Sequence, residues 1–275
     1  MTGALVTVDG LRGLLDDADL RVADTRWYLG EPDRGRGAYR AAHVPGAVYA
    51  DLEHHLSAPA GAGRHPLPDP PDFSAAMGRI GIGAEHFVVA YDDRGGAVAA
   101  RLWWMLRAQG HEHVAVLDGG WTAWQAAGMP ESDVVPRHPP PDRALAAVPW
   151  AGIVDRDEVR GALGTVTLID ARAGERYRGE TEPVDPVAGH IPTALNLPAD
   201  ENLAADGRFL DPEVLRARFS DLADGAVVSY CGSGVTACHN LLALDVAGIA
   251  GGLLYPGSWS DWSTAGEAVA TGPNP

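Results

Sequence analysis

Lysine is missing from this chain: every one of its 21 basic residues is arginine. The absence excludes a Schiff-base lysine and a P-loop, whose signature needs a lysine after its glycines. An anionic ligand must then be held by guanidinium groups or backbone amides. Cysteine is scarce, with two in 275 residues. Two thiols build no disulfide framework, and without a CxxC pair or a tight Cys/His cluster no zinc site is expected. Long apolar runs are lacking too: nothing approaches the roughly 20 residues that span a bilayer. The N-terminus lacks the basic-then-apolar order of a secretory signal. Acidic residues outnumber basic ones 37 to 21, for a net charge of −16, which argues against nucleic acid or an anionic membrane as partner. A cytoplasmic, soluble enzyme or binding protein is the expectation.

What the chain does have is an internal repeat. The first half reads RVADTR (21–26), AHVPGA (42–47), VVAYDDRGG (88–96) and LDGGWTAW (117–124). The second reads TLIDAR (167–172), GHIPTA (189–194), VVSYCGSG (227–234) and LYPGSWSDW (254–262), in the same order. The spacing between copies shortens after the second block, so the first copy carries about eight extra residues there. They fall in SAPAGAGRHPLPDPPD (57–72), which reads as a loop. A proline-rich stretch, residues 131–149, separates the copies and supports neither a helix nor a central strand. The expected domains are therefore 1–130 and 150–275, joined by that linker. In each, short β-branched runs (FVVAY, VAVLD, TVTLID, AVVSY) alternate with helical patterns (AVAARLWWMLRAQG, TACHNLLALDVAG). Apolar strands between amphipathic helices predict an α/β fold: a small, mostly parallel sheet with helices on both faces.

In such sheets ligands gather beyond the carboxyl ends of the strands. Cys231 stands at such a corner, and Asp92 stands at the equivalent point of the first copy. After the strand AVVSY the residues CGSGVTA lead into a helix starting near Thr236. Gly232 and Gly234 let successive amides turn inward as an anion nest, and the helix terminus adds partial positive charge. Both stabilise a thiolate, the nucleophilic form of cysteine. A buried structural cysteine is the alternative, but the flanking glycines favour the functional one. Cys238, inside the helical run, reads as a small core residue. A cysteine phosphatase would need an arginine six positions after Cys231, where alanine stands. A cysteine protease would need a histidine base, and His239 is placed on the helix, facing away. What remains is a thiolate in a cradle sized for one sulfur atom, beside the hydroxyls of Ser233 and Thr236.

These elements resemble the two-domain rhodanese-type sulfurtransferases over nearly the whole chain. The motifs are D-x-R, GHIPxA, YCGSGVTA and GSWSxW, and the active loop is similar to that of the 3-mercaptopyruvate branch. The resemblance implies two tandem rhodanese-like domains, the first non-catalytic with Asp92 in place of cysteine. It implies transfer of a sulfane sulfur from 3-mercaptopyruvate, through a Cys231 persulfide, to a thiol, thioredoxin or cyanide, with no metal or organic cofactor. Ser233 and His43 match a serine–histidine relay, with Asp33 as a third member. Arg176 matches the arginine that binds the donor's anionic end, with Arg178 as a second candidate. Gly232, Gly234, Val235 and Thr236 complete the substrate cradle. Asp170 and Arg172 read as an ion pair bracing a strand end.

The family carries a second donor-binding arginine nine positions after the first, and here that position is Asp185. Arg178 or a first-copy arginine such as Arg101 is then expected to take its place. Two other readings stand beside the first. One is a thiosulfate:cyanide sulfurtransferase. The other is a persulfide carrier or scaffold with little turnover on small donors.

Overall fold

The computed structural model describes residues 3–222 and 226–275. The chain forms two compact units, each close to one copy of the repeat. Unit 1 comprises residues 1–58, 68–151 and 204–209; unit 2 comprises 59–67, 152–203 and 210–275. The stretch 131–149, read from sequence as a linker, belongs to unit 1 and is hydrogen-bonded along it. Ala84 donates its amide to the Arg143 carbonyl, Ser74 Oγ to the Leu145 carbonyl, and Gln109 pairs with the backbone of Val148. The loop 59–67, from the first half of the chain, is part of unit 2.

In unit 1 the strands are β1 (Leu5–Val6), β2 (Leu20–Asp24), β3 (Val48–Tyr49), β4 (Phe87–Tyr91) and β5 (Val114–Leu117). They lie in the order β1-β5-β4-β2-β3, and all the pairings described are parallel. The helices are α1 (Val8–Arg12), α2 (Arg34–Ala41), α3 (Pro70–Arg79), α4 (Ala99–Ala108) and α5 (Gly120–Ala126). Every residue of β2 and β5 is buried, as expected of parallel strands covered on both faces. Strand residues Val22, Val89 and Tyr91 pack with Trp121 and Trp124 of α5 in one core.

In unit 2, β6 (Thr167–Asp170), β7 (Leu195–Asn196), β8 (Val227–Tyr230) and β9 (Gly252–Leu254) form a second parallel sheet ordered β7-β6-β8-β9. Its helices are α6 (Arg156–Gly161), α7 (Gly174–Tyr177), α8 (Pro212–Arg218), α9 (Ala237–Val246) and α10 (Ser258–Thr264). Leu168, Val228 and Tyr230 pack with Trp259 and Trp262 of α10. Local sequence explains several boundaries. Asp155 and Glu158 close a capping box at the start of α6, and α3 and α8 begin on prolines, whose fixed φ suits a first turn. Strand β8 lies inside its sheet, so its carboxyl end opens on the sheet's centre, where Cys231 follows. Strand β4 ends the same way, at Asp92.

The D-x-R motif braces both sheets. Arg172 is bidentate to Asp170 and also donates to the Gly189 carbonyl, with its guanidinium over the Trp259 ring at 4.6 Å. Arg26 treats Asp24, the Ala42 carbonyl and Trp121 alike. Burial alone would lower the Arg172 pKa, but the Asp170 charge overrides it and raises it above the usual arginine value.

Candidate active site

Cys231 begins the turn between β8 and α9, and its side chain is buried. Its Sγ receives the amide of Gly234 at 3.1 Å and that of Ser233 at 3.4 Å. The backbone around it is held by the start of α10. Ser258 Oγ accepts the Cys231 amide at 3.1 Å, Trp259 N donates to the Cys231 carbonyl, and Ser260 N donates to the Gly232 carbonyl. Ser258 itself has φ +53°, a strained position for a residue with a Cβ. Gly234 is obligatory: its φ is +75°, and a Cβ there would stand 2.5 Å from the Pro256 carbonyl oxygen. Val235 and Thr236 complete the turn, Thr236 as N-cap of α9.

Ser233, buried next to the sulfur, pairs with a histidine. That histidine is His65, whose Nδ1 lies 2.8 Å from Ser233 Oγ. His65 is buried and stands in the loop 59–67. Gly63, with φ +78°, anchors that loop: a Cβ there would come within 2.4 Å of the Gly257 carbonyl oxygen. Arg64 N donates to Ser260 Oγ at 3.0 Å. The same loop aims Arg64 at the turn. Arg64 Nη2 is 3.0 Å from where a Cβ on Gly232 would sit, and Arg176 Nη1 and Nη2 are 3.6 and 3.7 Å from that point. The missing Cβ of Gly232 thus lets two guanidiniums pack against the turn, one residue from the sulfur.

Arg176, in α7, is fixed by carboxylates. Its Nε and Nη2 bond Glu182 at 3.2 and 2.6 Å, and Nη2 also reaches Asp185 Oδ2 at 3.2 Å. Arg64 Nη1 donates to Asp185 Oδ1 at 2.5 Å. Burial would raise the Glu182 pKa, but the Arg176 hydrogen bond, the amides of Asp185 and Val184 and the Arg176 charge outweigh it. Its carboxyl is held below the ordinary value.

The sequence-derived set is therefore redistributed. Cys231, Ser233, Gly232, Gly234, Val235, Thr236 and Arg176 are gathered at one turn. His43 is not the partner of Ser233. It lies in unit 1, stacked on Tyr39 at 4.3 Å, with Nδ1 at the Tyr39 carbonyl and Nε2 at the Val134 carbonyl. His190 does the same in unit 2, stacked on Tyr177 at 3.7 Å with Nδ1 at the Tyr177 carbonyl. Each histidine stands shortly before an edge strand of its sheet, β3 in unit 1 and β7 in unit 2. Asp33 is an exposed N-cap of α2 and meets no histidine in any described hydrogen bond. Arg178 pairs with Glu180 on the surface, side chains 38% and 57% exposed, and does not reach the turn. Arg101 is buried inside unit 1, where Nη2 donates to the Leu56 carbonyl. The second guanidinium comes instead from Arg64. Cys238 is buried on α9, with Sγ donating to the Gly234 carbonyl, and His239 faces Asn202. Sequence reasoning missed Arg64 and His65. Their signal was the extra length of the first copy, which carries GRH inside an otherwise Pro/Gly-rich loop.

Asp92 occupies the matching corner of unit 1. Its Oδ1 accepts the amides of Arg94 and Gly96, and its Oδ2 those of Val98 and Ala99, at 2.7–2.9 Å. Trp121 N donates to the Asp92 carbonyl as Trp259 N does to that of Cys231. Among the described residues no group of three or more His, Cys, Asp or Glu side chains could hold a metal ion. No helix among them is long and apolar enough to cross a membrane.

Two parallel-sheet units of one repeat, one ending in an amide-cradled cysteine, define the class. The family model for the Rhodanese-like domain matches residues 7–127 and 155–265, and the chain belongs to that family. A Pseudomonas aeruginosa protein named "Probable 3-mercaptopyruvate sulfurtransferase" is 46% identical over 98% of each chain. A Mycobacterium tuberculosis protein provisionally named thiosulfate sulfurtransferase SseB is 45% identical over 94% of each. The crystal structure of SseA from Escherichia coli, described as a 3-mercaptopyruvate sulfotransferase, superposes with a TM-score of 0.83 at 33% identity. It covers 94% of this chain and 100% of its own.

Proposed function

We propose that this chain is a sulfurtransferase that takes sulfur from 3-mercaptopyruvate onto Cys231 and passes it to a thiol acceptor. The observation that carries this reading is the Cys231 sulfur held by the Ser233 and Gly234 amides, with two guanidiniums packed against the neighbouring Gly232. The Cys231 thiolate attacks the donor sulfur. The carbon–sulfur bond breaks, its electron pair leaves on pyruvate as the enolate, and a proton completes pyruvate. The product is a Cys231 persulfide, whose charge the same amides stabilise. An acceptor thiolate then attacks the outer sulfur, the S–S bond breaks, and the Cys231 thiolate returns.

Each neighbouring side chain has a part in this scheme. Arg176 and Arg64 hold the donor carboxylate, a task suited to planar forks of donors. Ser233, linked to His65, hydrogen-bonds the donor carbonyl oxygen, and the pair handles the proton that the enolate needs. Residues 233–236 shape the pocket floor. Cys231 is a thiol outside any disulfide, in keeping with a reducing, cytoplasmic setting. There a small protein thiol such as thioredoxin would serve as acceptor, with cyanide as an alternative.

Intact-mass spectrometry after treatment with 3-mercaptopyruvate should find one added sulfur on the wild type and none on Cys231→Ser. An unmodified wild type would refute the reading. A second donor, thiosulfate, is favoured by the name of the tuberculosis relative at 45% identity; the kcat/KM ratio of the two donors decides between them. Labelling without turnover on either donor would favour a persulfide carrier.

A further inference from the structure

Asp185 is an acidic side chain, 3% exposed, joining the two arginines that face the reactive loop. It bonds Arg64 with one oxygen and Arg176 with the other. Arg176 has already given its Nε and Nη2 edge to Glu182. The guanidinium nitrogens nearest Gly232 that bond no carboxylate are Arg64 Nη2 and Arg176 Nη1, while Arg64 Nε is buried and has no hydrogen-bond partner among the described residues. Two cations therefore stand against the turn, yet Glu182 and Asp185 cancel both charges. The neighbouring Arg172–Asp170 pair adds nothing net. The Cys231 thiolate brings one further negative charge when it reacts.

We propose that Asp185 sets the charge of the donor, making the site selective for a monoanion over a dianion. The inference rests on the sulfurtransferase reading and names the donor class within it. 3-Mercaptopyruvate carries one carboxylate and a neutral thiol. Thiosulfate carries two negative charges, and its second charge meets a site with no net positive charge to match it. At an effective dielectric near 20, one unit charge about 5 Å away changes relative binding by more than about a hundredfold, and solvent around the partly exposed Arg64 screens this to roughly tenfold or more. Without Asp185 the arginine pair regains a net positive charge, and the dianion gains more than the monoanion.

The test compares kcat/KM for thiosulfate and 3-mercaptopyruvate in the wild type and in Asp185→Asn. The thiosulfate-to-mercaptopyruvate ratio should rise about tenfold, and Asp185→Glu should keep the wild-type ratio. Loosening of the loop would lower both donors alike, so a ratio within twofold of wild type in Asp185→Asn overturns the proposal. Glu182→Gln makes the same change of charge and should shift the ratio the same way, which keeps the test decisive if Asp185→Asn fails to fold. The pair Arg64→Gln with Asp185→Asn leaves net charge unchanged and should return the ratio to within about threefold of wild type; a ratio that stays high contradicts a charge effect.

Binding separates this inference from the sulfurtransferase reading. Calorimetry on Cys231→Ser should find that adding Asp185→Asn tightens thiosulfate about tenfold more than it tightens pyruvate. Equal changes, or no binding of either anion, overturn the proposal. A wild type that gains no sulfur from either donor defeats the broader reading instead.

Discussion

The corner after β4 and the corner after β8 are built from one pattern and filled differently. Each follows an interior strand, each has its first carbonyl held by a tryptophan amide, and each turns its next amides inward. In unit 1 the Asp92 carboxylate takes those amides itself, four of them at hydrogen-bond distance. The anion site is permanently occupied by the protein's own side chain. In unit 2 the occupant is a sulfur atom, and Gly232, without a Cβ, lets two guanidiniums approach beside it. One nest is filled by a carboxylate and its twin by a thiol. Polar satisfaction and reactivity are thus alternative uses of the same backbone geometry.

The sharpest way to break this contrast is Cys231→Asp, which gives unit 2 the occupant of unit 1. Sulfur transfer should fall by at least about a thousandfold, with far-UV circular dichroism unchanged; retained turnover would show that the cysteine is not the carrier. The reverse perturbation, Asp92→Asn, removes one acceptor from a cluster of buried amides. It should destabilise unit 1 by roughly 3 kcal/mol, read from urea unfolding through tryptophan fluorescence, most of which comes from unit 1. An unshifted midpoint would show that the amides find other partners. The histidines sharpen the comparison further. His65→Ala should lower kcat about a hundredfold, whereas His43→Ala should cost roughly 2 kcal/mol of stability and leave kcat per folded molecule within about twofold; steady-state assays beside thermal melts would expose a reversed pattern. The smallest effect belongs to Arg178→Ala. That surface pair should leave kcat/KM within about twofold, and a larger loss would place Arg178 at the donor after all.

The two parallel sheets were legible because β-branched runs alternate with helical patterns, and the repeat made each half check the other. The corner at Cys231 was legible because a β-branched run stops there and two glycines follow within three residues. The assignment of His43 failed, and the repeat held the warning: His190 occupies the same place in the reactive copy, so the motif serves the fold in both. Arg64 and His65 were out of reach for a different reason. Their loop carries no helix or strand among the described residues and is held by contacts such as Arg64 to Ser260, almost 200 positions away along the chain. Local periodicity carries no information about such pairs. Asp185, read as a missing arginine, proved to be the partner of an arginine supplied from elsewhere.

The interleaving of the two units has a consequence for synthesis. Residues 59–67 complete unit 2, and 204–209 complete unit 1. During translation, unit 1 lacks its last piece until more than two-thirds of the chain has been made, so the usual order of one finished domain before the next does not hold here. A fragment starting at residue 150 would keep Cys231 and Ser233 but lose Arg64 and His65. Cutting the gene between its two copies would therefore yield two incomplete proteins. A loop from the first half of the sequence thus brings its histidine to Ser233 in unit 2.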